Sequence, residues 1–340
     1  MLSTSNWVNY GFWEKLKKPA SASGRDEPFF VLAPMADVTD GPFRQIVIDC
    51  GRPDVLYNEF VSCEGLCSAG RERLLLDLRF KENEHPIVAQ FFGTKPEQFY
   101  ECAKLARELG FDGVDINMGC PDRKVVKQGA GIGLCKDPQR AKQIIEATKE
   151  GAGDLPVSVK TRIGLTKPDL EGWIRMILET KITVLTIHGR TMAEMSKVPA
   201  HWDLIGEAAK MAHEVGTLAV GNGDVMSLSE GREKAEQYGV DGVMIGRGIF
   251  HNPWFFNEKI DHKAVPPKKR LELLLKHSRL FEEFWQGNLP AGRQGKSFDL
   301  MKKFFKIYVS EWDGAKDLRA QLMETKTREQ VEEIIADYLK

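Results

Sequence analysis

No apolar run in these 340 residues approaches the roughly 20 needed to cross a bilayer. The opening residues also lack the core of about 7–15 apolar residues that directs export. Cysteine is sparse, at six, and its spacing is not that of a zinc site. Cys63 and Cys67 are separated by three residues, with no second pair or histidine beside them in sequence. Reduced thiols, a cytoplasmic location, no metal and no membrane partner are therefore expected. Charge of one sign is lacking too. The net charge is −1, so any basic face for a polyanion must be local. What remains, 42% hydrophobic and 29% charged residues, is the composition of an ordinary globular protein.

Within it a rhythm begins at Phe29. Short apolar segments at 29–33, 55–57, 86–91, 113–117, 156–160, 182–187, 218–221 and 242–245 are each followed by a helical pattern or a loop leading to one. Eight such units in about 230 residues have the size and order of a TIM barrel. A doubly wound sheet would carry fewer units and a glycine-rich first turn, whereas the first turn here is Pro34-Met35-Ala36-Asp37. After Val265-Pro266-Pro267 the pattern is helical only, over 271–285, 298–312, 315–323 and 328–339, with Gly287, Pro290, Gly292 and Gly314 in the turns. The expected fold is α/β: a (β/α)8 TIM barrel at 29–262, then a small all-α helical bundle at 267–340. Residues 263–340 hold 16 Lys/Arg against 12 Asp/Glu, so the bundle is mildly basic. Residues 1–28 read as an extension. Trp7, Tyr10, Trp13 and Leu16 recur every three residues, a short helix whose aromatic stripe caps the main body; Lys17, Lys18 and a linker-like stretch follow.

Chemistry gathers where the strands end, which is where a TIM barrel carries its active site. Asn117-Met118-Gly119-Cys120-Pro121 closes one strand, and the glycine-rich 128–134 is too rich in glycine for a helix interior. A cysteine in a tight turn is more often a buried structural residue. Here the other strand ends outweigh that reading, since polar or cationic residues stand at nearly all of them: Gln90, Lys160, Arg162, His188, Arg190, Asn222, Asp224 and Arg247. Gly221-Asn222-Gly223-Asp224 and Gly246-Arg247-Gly248 occupy the usual phosphate position of the fold. Lys160, Gln90 and His188 suit the heteroatoms of an isoalloxazine ring. Beside a flavin, the Cys120 thiol would exchange a proton with substrate. Cys102 and Cys135 are expected in the core.

These residues resemble the tRNA-dihydrouridine synthases over most of the barrel. The matching stretches are Ala33-Pro34-Met35-Ala36-Asp37-Val38-Thr39-Asp40-Gly41-Pro42-Phe43-Arg44, Asn117-Met118-Gly119-Cys120-Pro121, Val159-Lys160-Thr161-Arg162-Ile163-Gly164, His188-Gly189-Arg190-Thr191 and the two glycine-rich strand ends. The resemblance implies an oxidoreductase that binds FMN, takes electrons from NADPH and saturates the C5–C6 bond of particular tRNA uridines, with Cys120 as proton donor. It implies flavin contacts at Pro34, Met35, Ala36, Gln90, Lys160, His188, Asn222, Gly223, Asp224, Gly246 and Arg247. Substrate contacts fall on Asn117, Arg162 and Arg190, and tRNA phosphates on Lys296, Lys302, Lys303 and Lys306 of a monomer. Ser196 stands where the family often has an aromatic residue, and 1–28 lies outside the common pattern. The competing readings are a flavoprotein acting on a free pyrimidine, which would need no basic appendage, and a non-catalytic RNA-binding barrel.

Overall fold

A computed structural model describes residues 8–16, 27–287 and 295–340. They fall into two compact units: one runs to Ala36 and over Asp54–Gly246, the other combines Asp37–Pro53 with Arg247–Lys340.

The first unit holds the strands β1 (Phe29–Leu32), β2 (Leu56–Tyr57), β3 (Val61–Ser62), β4 (Ile87–Phe92), β5 (Gly113–Met118), β6 (Val157–Arg162), β7 (Val184–His188), β8 (Leu218–Asn222) and β9 (Gly242–Ile245). They pair in parallel in the order β1-β9-β8-β7-β6-β5-β4-β2. The seam between β1 and β2 is bridged at Val31 and Val55, with Leu32 N donating to Val55 O at 3.2 Å. That contact closes an eight-stranded barrel. All eight expected strands are present; the short β3, which pairs with the end of β4, was not anticipated. Helices Pro96–Glu108, Pro138–Ala152, Trp202–Glu214 and Leu228–Tyr238 return the chain between strands. Their starts follow local chemistry. Prolines occupy the first turn at Pro96 and Pro138, where no amide hydrogen is needed. Ser227 caps Leu228–Tyr238 through Glu230 N, and Gly239 ends it in the left-handed region.

The lower half of the barrel is filled by Phe29, Val31, Val55, Tyr57, Val88, Val184, Leu218, Val220 and Met244, and Trp13 joins this cluster with 1% of its surface exposed. The three-residue spacing of Tyr10, Trp13 and Leu16 suits a 3-10 helix, and Gly11–Leu16 forms one. Trp7, Lys17 and Lys18 lie outside the described residues. The Trp13 ring sits 5.5 Å from that of Phe29. Tyr10 Oη donates to Gly216 O, Asn9 Nδ2 to Asp154 O at 2.7 Å, and Thr183 Oγ1 to Asn9 O at 2.7 Å. These acceptors and donors precede β6, β7 and β8. Residues 8–16 therefore plug the amino-terminal mouth of the barrel, opposite the strand ends that carry the polar residues.

In the second unit, helix Gly41–Cys50, which follows β1 in sequence, lies against Pro267–Trp285. Asp40 ties them together: Oδ1 accepts from Phe43 N at 3.0 Å and Oδ2 from Trp285 Nε1 at 2.8 Å. The Phe43 ring lies 4.9 Å from that of Phe304. A cut at 267 would strip this core from Phe43, Ile46 and Val47, all buried. The expected single helix at 298–312 is instead a 3-10 helix Phe298–Lys303 followed by Phe305–Tyr308. Phe298, Met301, Phe304 and Ile307 are all buried and recur every third residue, a period that three residues per turn satisfies and 3.6 does not. Helices Ala315–Met323 and Arg328–Tyr338 complete the unit; Pro290 and Gly292 lie outside the described residues.

Replacing the plug residue, Trp13→Ala, should lower the unfolding free energy by about 3–5 kcal/mol. Denaturant titration measures it. A loss below about 1 kcal/mol would mean that the extension only rests on the surface.

Candidate active site at the carboxyl ends of the strands

Parallel register decides which side chains meet inside the barrel. Asn117 of β5 pairs with Lys160 of β6, and Lys160 with Thr186 of β7; one step higher, Arg162 pairs with His188 and His188 with Asn222 of β8. Side chains two apart share a face, so Asp115 and Asn117, and Ser158, Lys160 and Arg162, all point inward.

Cys120 is held from this layer. Asn117 Oδ1 accepts from Gly119 N at 3.1 Å and Cys120 N at 2.9 Å, while its Nδ2 donates to Gln90 Oε1 at 3.0 Å. The glycine-rich segment covers the turn as a 3-10 helix, Gly131–Lys136, rather than an open loop. Ile132 N donates to Cys120 O at 3.2 Å. Gly131 is required there: its φ is +57°, and a Cβ would stand 2.7 Å from Cys120 O. Cys120 is half-buried, and burial pushes its thiol up against the opposing pull of Arg162 and Lys160. That direction favours the thiol over the thiolate, which suits a group that gives a proton.

Lys160 Nζ donates to Asn222 Oδ1 at 3.3 Å, and Asn222 Nδ2 to Met244 O at 2.8 Å. Burial first, and Arg162 second, lower the Lys160 ammonium to about 8, against the pull of Asp115. Arg162 is 7% exposed and stitches two loops: Nε donates to Gly119 O at 3.0 Å and Nη1 to Thr191 O at 3.2 Å. Burial and the neighbouring Arg190 lower it to about 10. Arg190 is spent on the protein. It donates to Val198 O at 2.7 Å, contacts His188 Nε2 at 3.2 Å and is ion-paired with Asp224. Asp224 also accepts from Ala200 N at 2.9 Å. Gly223, with φ +138°, has no room for a side chain, since a Cβ would come within 2.6 Å of Ala200 Cβ. At Gly246 the reverse holds: among the described residues a Cβ there would meet only Ala33 Cβ, at 3.9 Å. Pro34 is buried, Met35 partly buried and Ala36 exposed at the end of β1.

The structure brings together Gln90, Asn117, Lys160, Arg162, His188, Arg190, Asn222 and Asp224, with Asn117 and Arg190 serving as internal braces. Arg247 is exposed and opens the turn Arg247–Phe250 in the other unit. There, Lys296 and Lys303 face Asp37 at 3.6 and 3.4 Å, Lys302 pairs with Asp299 at 2.8 Å, and Lys306 is exposed. Cys102 is buried as expected, but Cys135 is only half-buried. No metal-binding group occurs among the described residues, nor a helix long and apolar enough to cross a membrane. The sequence reading overlooked Asp115, which is fully buried and bonded to Ser158 and Gln90. Its signal was a carboxylate in mid-strand, where ionisable side chains are rarely buried unpaired. It also overlooked a cavity of about 1000 Å³ beside Pro121, lined by Lys95, Arg123, Lys127, Lys136, Arg140 and Lys197.

The description "Dihydrouridine synthase (Dus)" belongs to a family model that matches residues 31–340. The chain belongs to the dihydrouridine synthase family. It is 44% identical over 331 residues to "Probable tRNA-dihydrouridine synthase 2" of Bacillus subtilis (strain 168), covering 96% of both chains. It is 46% identical over 321 residues to "Probable tRNA-dihydrouridine synthase" of Staphylococcus aureus (strain Mu50 / ATCC 700699), covering 93% of this chain and 92% of that one. Histamine dehydrogenase from Rhizobium sp. 4-9 shares the fold, with a TM-score of 0.55 at 13% identity over 83% of this chain and 55% of that one. As a member of the Dus family the chain is an enzyme.

The lowered Lys160 value makes a signed prediction. Between about 8 and the ordinary 10.5 the unfolded chain binds more protons than the folded one, so stability rises with pH across that window. Urea midpoints at about pH 7.5 and about pH 9.5 should show less of this rise in Lys160→Met than in the parent. An identical rise in both would place Lys160 in water.

Proposed function

We propose that the chain is an FMN-dependent tRNA-dihydrouridine synthase that uses NADPH as reductant. The observation that carries this is the Cys120 turn, held by Asn117 through Gly119 N and Cys120 N in the barrel layer that also carries Lys160. The family and the names of the two relatives support the reading. The residues fit a flavin. Lys160 spends one of its three N–H donors on Asn222, and a Cβ at Gly246 would touch only Ala33 among the described residues. A bound flavin supplies hydride chemistry that no side chain offers.

The protein's own residues do the rest. Lys160 offers a cation to the ring edge where negative charge collects. His188 would line the ring; Gln90, fully buried with its amide taken by Asn117 and Asp115, acts through them. Gly223 and Gly246 would offer backbone groups to the phosphate end, while Asn222, its amide taken by Lys160 and Met244 O, steadies Lys160; Arg247 is included by its place in Gly246-Arg247-Gly248 and Pro34, Met35 and Ala36 by theirs after β1. Asp224 acts through its hold on Arg190. Saturating C5–C6 needs a hydride equivalent at one carbon and a proton at the other, and Cys120 delivers the proton to C5. Arg162 Nη2, unused by the bonds above, is the donor for a uracil carbonyl.

A uridine within a folded tRNA must leave its stack to reach this depth. Cations then serve the backbone: Lys306 and, once released from their carboxylates, Lys296, Lys302 and Lys303 on the helical segment 267–340, and the cationic cavity beside Pro121 on the barrel. A free-pyrimidine enzyme has no use for either.

Purified protein should show flavin absorption that NADPH bleaches and unmodified tRNA restores without oxygen. Recovery with free uracil, or no flavin at all, would overturn the proposal. Cys120→Ala should keep its flavin yet lose at least about 100-fold in turnover; native turnover would remove Cys120 as the acid. Lys306→Glu should weaken tRNA binding and flatten its salt dependence by roughly 0.7–0.9 per lost contact. An unchanged slope would take Lys306 off the RNA.

A further inference from the structure

Hydrogen-bond direction runs through the barrel in one sense only. Two backbone N–H groups, of Gly119 and Cys120, must be met by the oxygen of Asn117. That turns Asn117 Nδ2 toward Gln90, which must answer with Oε1. Gln90 Nε2 then points the other way and needs an acceptor, which Asp115 Oδ2 provides at 2.7 Å. An ionised carboxylate can only accept. Asp115 Oδ1 is anchored in turn by Ser158 Oγ at 2.5 Å. Gln90 and Asp115 are fully buried and Asn117 is 7% exposed, so water is not there to repair a reversed amide.

We propose that Asp115 is a positioning residue for Cys120: as the acceptor that ends the chain, it fixes both amide orientations and with them the backbone of the Cys120 turn. This rests on Cys120 being the proton donor. A thiol displaced by about 1 Å can lose roughly 100-fold in rate, which gives a buried carboxylate with no reach to substrate a measurable effect.

The test compares full-length variants by turnover, by KM for tRNA and by the rate at which iodoacetamide alkylates Cys120, mapped by peptide mass spectrometry with exposed Cys67 as internal control. Asp115→Leu removes the acceptor and should lower kcat by about tenfold or more, leave KM within about twofold and shift the Cys120 alkylation rate alone. Asp115→Asn, whose oxygen can still accept from Gln90, should lose much less. Gln90→Glu sets two carboxylates face to face and should disturb Cys120 alkylation. Adding Asp115→Asn restores a donor between them and should bring the rate back to within about threefold. That rescue also keeps the inference testable if Asp115→Leu fails to fold. Native kcat and native Cys120 alkylation in Asp115→Leu, or no rescue in the double variant, would overturn the positioning role while leaving the proton-donor assignment intact. Native turnover in Cys120→Ala would overturn both.

Discussion

Everything at the upper end of the barrel depends on the register of five neighbouring parallel strands, β4 to β8. Because side chains alternate from face to face, a slip of one residue would turn Gln90, Asp115, Asn117, Lys160 and Asn222 outward and put Ile116, Val159 and Gly221 in their place. The register is set from below. The apolar layer of Val31, Val184, Leu218 and Val220, closed by Trp13, gives the lower barrel one well-packed arrangement. The polar layer is built on top of it.

That division explains a site assembled from expensive parts. Lys160 and Arg162 are cations held where water is scarce, and both are shifted toward giving up their protons. Burying such groups costs stability, and the lower core is what offsets it. The thiol is treated in the opposite way. Burial keeps Cys120 protonated, so one desolvated pocket favours an acid beside a cation eager for a negative partner.

Much of this was legible in the sequence. The period-two strands and intervening helices disclosed the barrel, and the polar residues following each strand pointed to one face, because a TIM barrel gathers its strand ends there. The misses have physical reasons. Helix Gly41–Cys50 follows β1 like any barrel helix, yet its Phe43 and Ile46 belong to the core of the helical unit; sequence order carries no information about which core an apolar face joins. The 298–312 segment recurs every three residues, a period easily taken for a loose α-helix. Asn117 and Arg190 were expected to touch substrate. Their donors and acceptors are largely consumed by the protein, which only a three-dimensional count of partners reveals.

The proposed chemistry leaves its mark in RNA, and mass measurement reads it most directly. Unmodified tRNA incubated with the protein and NADPH, then digested and mapped, should carry a gain of two hydrogen atoms on particular uridines, absent when Cys120 is replaced. Oxidation of NADPH with no change in the mass of any tRNA fragment, under conditions where a free pyrimidine is reduced, would contradict it.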